Sequence, residues 1–113
     1  MTPGNVALAR IQQADGRLKV RPVLILSIMP PFHDFLVCGL SSKVRPDSTD
    51  FEEAIAEEDS DFRRSGLKVA SQIRLGMLAT IPESAVLGRL GAVADDRLKR
   101  LRLRLARHLR EAP

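Results

Sequence analysis

Cysteine occurs once in these 113 residues, histidine twice, and tryptophan and tyrosine not at all. A single thiol rules out an internal disulfide framework, so any core must be held by apolar burial. The length is that of one ordinary domain and suffices for such a core, so residues 1–113 are read as a single domain. Cys38 lies inside an apolar stretch, which suits a core position and a reducing cytoplasm. One cysteine and two well-separated histidines, His33 and His108, give no recognisable metal-ligand spacing. A Gly-rich phosphate loop and a Gly-x-Ser-x-Gly elbow are both missing, so no metal and no cofactor is expected. With only four phenylalanines among the aromatics, any stacking on bases would rest on Phe32, Phe35 or arginine planes. No apolar run approaches the ~20 residues that a membrane helix needs. Met1–Arg10 holds no apolar signal core, and the expectation is a soluble, cytoplasmic protein without membrane contact.

Acidic charge is the scarcer sign: 14 Asp and Glu against 18 Lys and Arg, a net charge of +4. Eight of the 14 acids fall between Asp47 and Asp61, and seven of the 18 basic residues between Arg97 and Arg110. A basic excess favours nucleic acid or an acidic protein as partner. The C-terminal cluster taken alone also reads as a solvated helix face, and the acidic stretch as a solvated loop.

What is present is a series of short apolar runs divided by turn residues. Val6–Ala9 follows Pro3-Gly4-Asn5 and reads as a first strand. Asp15-Gly16 marks a hairpin or loop. Val20–Met29, stopped by Pro30-Pro31, reads as a buried strand, with Pro22 placing its start at an edge or bulge. Asp34–Ser41 reads as a third strand, with Phe35, Val37 and Gly39 on one face and Leu36, Cys38 and Leu40 on the other. Arg45–Asp50 reads as a loop and Phe51–Ile55 as a short strand. Glu57–Arg64 reads as a charged loop or single turn. Gly66–Ile73 reads as a strand, Gly76–Ile81 stays open, and Leu87–Val93 reads as the last strand. Leu98, Leu101, Leu105 and Leu109 then form one apolar helical stripe, capped by Asp95 or Asp96, with Arg100, Arg104 and Arg107 on the far side. Many short strands and one amphipathic helix imply a small twisted barrel with the helix packed on it.

Five segments in order resemble the MazF/PemK toxin family. Lys19–Ser27 is similar to its Arg-Pro and apolar-strand signature, and Gly4-Asn5-Val6 to its opening. Leu40-Ser41-Ser42 stands where the family has a strand ending in Ser or Thr. Ser65–Arg74 resembles the later strand with its Gln-Ile-Arg element, and Leu87–Leu90 the Gly-x-Leu before the last helix. The resemblance implies a mainly β, small SH3-like antiparallel β-barrel with an amphipathic C-terminal α-helix. It also implies a homodimer whose groove binds single-stranded RNA, cleavage without metal, and a cognate antitoxin protein that blocks the groove.

Such cleavage uses the 2′-hydroxyl of the substrate as nucleophile, so the protein must supply proton transfer and cations for the phosphorane charge. Arg21 is the first catalytic candidate, because a guanidinium contacts phosphate with two donors and stays charged. Ser41 and Ser42 are the next, as hydroxyl donors to the scissile phosphate. Arg17, Lys19, Lys43, Lys68, Ser71 and Arg74 are the expected RNA contacts. On one continuous strand Lys68 and Ser71 would face opposite ways unless a bulge intervened. Some family members carry an arginine and an acid on this strand; Val69 and Ser71 stand there here, so the general base must come from elsewhere. His33, His108 and Asp15 are the groups available for it. Two rival readings keep the fold and drop the chemistry. One is a gyrase poison of the CcdB type, which binds its target through a C-terminal helix. The other is a catalytically inactive RNA-binding module. Leu103, off the helix stripe, is free to meet a dimer mate or an antitoxin.

Overall fold

In the computed structural model, which describes residues 1–45 and 51–113, six antiparallel strands form one sheet. The strands are β1 Asn5–Gln12, β2 Leu18–Met29, β3 Asp34–Ser41, β4 Glu52–Ile55, β5 Ser71–Ile81 and β6 Val86–Ala92. They lie side by side in the order β4-β5-β3-β2-β1-β6. Two helices complete the chain: a single turn, α1 (Phe62–Ser65), and the C-terminal α2 (Asp95–Glu111). The fold is the expected small β structure with a terminal helix. Among the described residues its sheet is open rather than closed, with β4 and β6 as the two edges. No helix among the described residues is long and apolar enough to cross a membrane.

Alternation along each strand divides the core in two. Val6, Leu24, Cys38, Leu40, Ile73 and Leu75 turn to one face, where Leu98, Leu101 and Leu105 of α2 cover them. Ala7, Ala9, Val23, Ile25, Phe35, Val37 and Ile81 form the second cluster. β3 splits as its sequence pattern requires, Phe35 and Val37 to one cluster and Cys38 and Leu40 to the other. Burial pushes the Cys38 thiol up to about 12, so at neutral pH it is an apolar filler. Pro22 sits where the ladder tolerates it: β3 pairs with β2 only from Val23 onward, leaving residues 18–22 bonded to β1 alone.

Four expectations are corrected. The strand read over Gly66–Ile73 begins only at Ser71 and runs on through the open segment to Ile81. Gly66 ends α1 in the left-handed region, at φ 75°, and a Cβ there would run into the Leu90 carbonyl oxygen. Its backbone is therefore spent on closing a helix turn against β6. Gly91 makes the reciprocal approach, to the Arg64 carbonyl oxygen, so α1 seats on β6 through two glycines. Second, Ala94 rather than Asp95 or Asp96 caps α2, and its backbone N–H donates to Asp61 Oδ2 at 3.0 Å. Third, the apolar stripe stops early: Leu98, Leu101 and Leu105 are buried, whereas Leu109 projects past the sheet and is 68% exposed. The expected Arg45–Asp50 loop lies, from residue 46 on, outside the described residues.

The fourth correction concerns the charge clusters, which bind each other in part: Glu53, Asp59 and Asp61 hold Arg97, Arg100 and Arg104, while Glu57, Glu58, Arg107 and Arg110 face water as expected. Arg97 is buried, with Nε and Nη2 donating to the two Asp61 oxygens at 2.8 and 3.0 Å. The same side chain donates to Asp59 Oδ2 at 3.0 Å and Glu53 Oε2 at 2.7 Å. Arg100 grips Glu53 with two donors, and Arg104 adds a third cation at 3.3 Å. Burial alone would raise both carboxyls, but the Arg100 and Arg97 contacts hold Glu53, and Arg97 holds Asp61, below the ordinary range. These hydrogen bonds tie α2 to β4 and to the segment before α1.

Candidate nucleic-acid interface

Strand register sets the face on which each strand candidate emerges. Across the β4–β5–β3–β2 strip, Glu52 stands opposite Arg74, Arg74 opposite Gly39, and Gly39 opposite Val23. One step along, Ala54 is opposite Gln72 and Gln72 opposite Ser41. Directly opposed residues share a face, and so do residues two apart on one strand. Arg21, Ser41, Gln72, Arg74 and Glu52 therefore emerge on the Val23 face, away from α2. A bulge then breaks the β3–β5 ladder. Gly39 pairs with Arg74 but Cys38 with Leu78, leaving residues 75–77 without partners on β3. Met77 from this bulge lies over Gly39.

A cavity of about 690 Å³ opens there, floored by Val23, Val37 and Ala79. Its wall includes Arg21, Ser41, Ser42 and Lys43 from β2, β3 and the residues just after β3, with Lys68, Ser71 and Arg74 opposite. Seven of the nine sequence-derived candidates thus meet in one groove; Arg17 and Lys19 are not among its lining residues. Lys68 and Ser71 meet there without the bulge that one continuous strand would have required. Lys68 precedes β5, on a segment that is not strand. The charged lining residues are Arg21, Lys43, Lys68 and Arg74, all cations. Neither His33 nor His108 lines it: His33 is in the turn between β2 and β3, and the His108 ring lies 4.5 Å from that of Phe51. Asp15 is occupied as a turn residue, accepting from the Arg17 backbone N–H at 2.9 Å.

The serines differ in what they can offer. Ser41 Oγ accepts from the Lys43 backbone N–H at 3.1 Å and keeps its own proton to donate. Ser71 is buried and donates its proton to the Val69 carbonyl oxygen at 3.0 Å, so only its lone pairs remain. The stretch from Gln12 to Arg17, where the family resemblance implies groove residues, reaches the groove through Gln12 and Gln13 rather than through Asp15 or Arg17. Sequence reasoning missed Met77, whose place depends on the bulge. Gly76 within an apolar run was the one signal of irregularity available. A smaller cavity of about 440 Å³, near Arg10, Leu18 and Pro82, contains none of the candidates.

A small open antiparallel sheet, a helix on one face and a cation-walled groove on the other define the class of this protein. Residues 2–109 match the family of PemK-like, MazF-like toxins of type II toxin–antitoxin systems, and the chain belongs to that family. Among solved structures it is similar to an endoribonuclease in complex with its cognate antitoxin from a mycobacterial species. That match has 16% identity and a TM-score of 0.72, over 100% of this chain and 98% of the other. It is also similar to the Mycobacterium tuberculosis toxin MazF-mt6, at 19% identity and a TM-score of 0.69 over 94% and 96% of the two chains. A third likeness is to the MazE–MazF structure from Deinococcus radiodurans, at 17% and 0.67, over 96% and 94%. At such identities the structures speak for the fold. No curated protein sequence matches significantly.

Proposed function

We propose that this chain is the toxin of a toxin–antitoxin pair and acts as an endoribonuclease on single-stranded RNA. The observation that carries the reading is the placement of Arg21 and the Ser41 hydroxyl in one groove whose charged lining residues are all cations. A phosphodiester seated there meets Arg21 as a fixed positive fork and Ser41 as a neutral donor. The 2′-hydroxyl loses its proton to solvent water as its oxygen forms the new bond to phosphorus, the phosphorane charge falls to Arg21, and the bond to the 5′-oxygen breaks as that oxygen takes a proton from water. Products are a cyclic phosphate and a free 5′-hydroxyl, and no metal takes part. Lys43, Lys68 and Arg74 hold neighbouring phosphates, with Ser42 as a second hydroxyl. Arg17 and Lys19 extend the cationic track outside the groove.

The chain acts as a homodimer in the cytoplasm, and an antitoxin protein covers the groove, whose rim exposes Val69, Met77 and Leu78. Two of the structural relatives above are complexes with an antitoxin or with MazE, which supports this reading of the partner. The test is incubation with a long mixed-sequence RNA in EDTA, with cut ends mapped by primer extension. Discrete cuts bearing 5′-hydroxyl ends, lost in Arg21→Ala while the melting temperature holds, are the expected result. A folded dimer that leaves every RNA whole refutes it.

One observation favours a second reading, the inactive RNA-binding module: neither a carboxylate nor an imidazole is among the groove's lining residues. That module binds RNA with a steep salt dependence and leaves it whole. The gyrase-poison reading needs a C-terminal helix turned to a target. Arg97, Arg100 and Arg104 of α2 are bound instead to the chain's own Glu53.

A further inference from the structure

Among the described residues, four buried side-chain polar atoms have no hydrogen-bond partner: Glu52 Oε2, both amide atoms of Gln72, and Arg74 Nε. All belong to the paired strands β4 and β5, and register puts the three residues on the groove face, with Glu52 directly opposite Arg74. Burying an unpaired polar group is costly, so such clustering calls for a cause. The neighbouring glutamate provides the contrast. Glu53, on the opposite face, holds Arg97 and Arg100 at 2.7–2.9 Å. Glu52 Oε1 accepts a long hydrogen bond from Arg45 Nη2 at 3.4 Å and lies 3.8 Å from Arg74 Nε, both longer than the ~2.7–2.9 Å of a tight charge-assisted bond. Arg74 is also part of the groove wall, its side chain 37% exposed. Its charge is thus attracted to Glu52 while its Nε–H remains unspent.

We propose that Glu52 is an internal anionic competitor for Arg74, displaced when a backbone phosphate of single-stranded RNA enters the groove. The proposal rests on the RNA-groove reading above. At 3.8 Å the pair carries no hydrogen bond, and Glu52 keeps Arg45 Nη2 at 3.4 Å when Arg74 leaves, so the exchange does not strand the carboxylate. Arg74 Nε–H is buried and unpartnered in the free protein, and when the side chain turns from Glu52 to the phosphate this donor completes the guanidinium fork on a phosphate oxygen. Glu52 thus lowers the groove's affinity for anions in general, and a strand whose successive phosphates also meet Arg21, Lys43 and Lys68 overcomes it where a single small anion does not.

The test is fluorescence-anisotropy binding of a 2′-O-methylated single-stranded RNA, which cannot be cut by 2′-oxygen attack. Glu52→Gln is expected to bind about threefold to fivefold tighter than the native chain, the range a loose ion pair allows. In an Arg74→Gln background the same change is expected to gain nothing. Glu58→Gln, an equal charge change at an exposed site, should leave binding within about 1.5-fold, which separates the pair from the general field. Unchanged or weaker binding by Glu52→Gln overturns the proposal, as does a gain that survives without Arg74 or is matched by Glu58→Gln. Should Glu52→Gln fail to fold, the native protein still decides. The Arg74 Nε–H resonance is expected to move downfield on addition of the RNA, and its staying put while Arg21 shifts refutes the exchange. A native chain that binds no RNA even at low salt overturns both this proposal and the reading beneath it. Native binding without the Glu52→Gln gain overturns this proposal alone.

Discussion

Replacing Arg97 by Ala tests the electrostatic clamp between α2 and the acidic segment most directly. The side chain is buried and donates to Asp61, Asp59, Glu53 and the Ala54 carbonyl oxygen. Its removal leaves Asp61, 3% exposed, accepting from the Ala94 N–H without a cation beside it. Breaking a buried pair by deleting one partner costs about 3–5 kcal/mol, because the surviving charge stays desolvated. Urea unfolding should register that loss, and the melting temperature should fall by roughly 4 °C for each kcal/mol. The sign of the pH dependence is a sharper check. In the native protein Asp61 and Glu53 are held below their ordinary values of 3.8 and 4.5. Their contribution is therefore present above those values and lost as the pH falls through the folded ones. Without Arg97, burial dominates at Asp61 and raises its carboxyl, so that group's contribution reverses: it is present in acid and lost as the pH rises. A loss under about 1 kcal/mol, the value of a solvent-screened surface pair, refutes the buried clamp, as does an unchanged acid limb in Arg97→Ala.

Leu101→Ala is expected to cost about 2–5 kcal/mol in urea unfolding and Leu109→Ala under about 0.5, because Leu101 is fully buried and Leu109 projects into solvent. Gly91→Ala should destabilise more than either, since its Cβ would meet the Arg64 and Ser65 carbonyl groups and drive α1 off β6; a melting point within a degree or two of native refutes that contact. The Cys38 thiol should resist a disulfide reagent in the native state and react fully in denaturant, its pKa being about 12 and its side chain buried. Fast labelling of folded protein would count against the core assignment.

Local pattern made much of this protein legible before its structure. Alternation marked β3 from Asp34 to Ser41, Pro30-Pro31 the end of β2, and leucine spacing the helix, because backbone period and solvent exclusion act on neighbouring residues. The family resemblance added the groove candidates, and seven of them line one cavity. There β2, β3 and β5 present Arg21, Ser41 and Arg74 on one face, and the segment after β3 and the one leading into the first residue of β5 bring Ser42, Lys43, Lys68 and Ser71 to its edge. What the chain pattern could not supply was pairing. The late start of β5 follows from Gly66 closing α1 against Leu90, twenty-four positions away. The position of Met77 follows from three residues that have no partners on β3. Charge runs misled for the same reason. The acids after residue 50 and the arginines of α2 read separately as solvated faces, and only folding brings Asp61 onto Arg97. Sequence determined β1, β2, β3 and the C-terminal helix, since those depend on short-range sterics and burial. Tertiary structure alone decided which charges neutralise each other and which remain to meet a ligand, because electrostatic partnership depends on distance in space rather than along the chain.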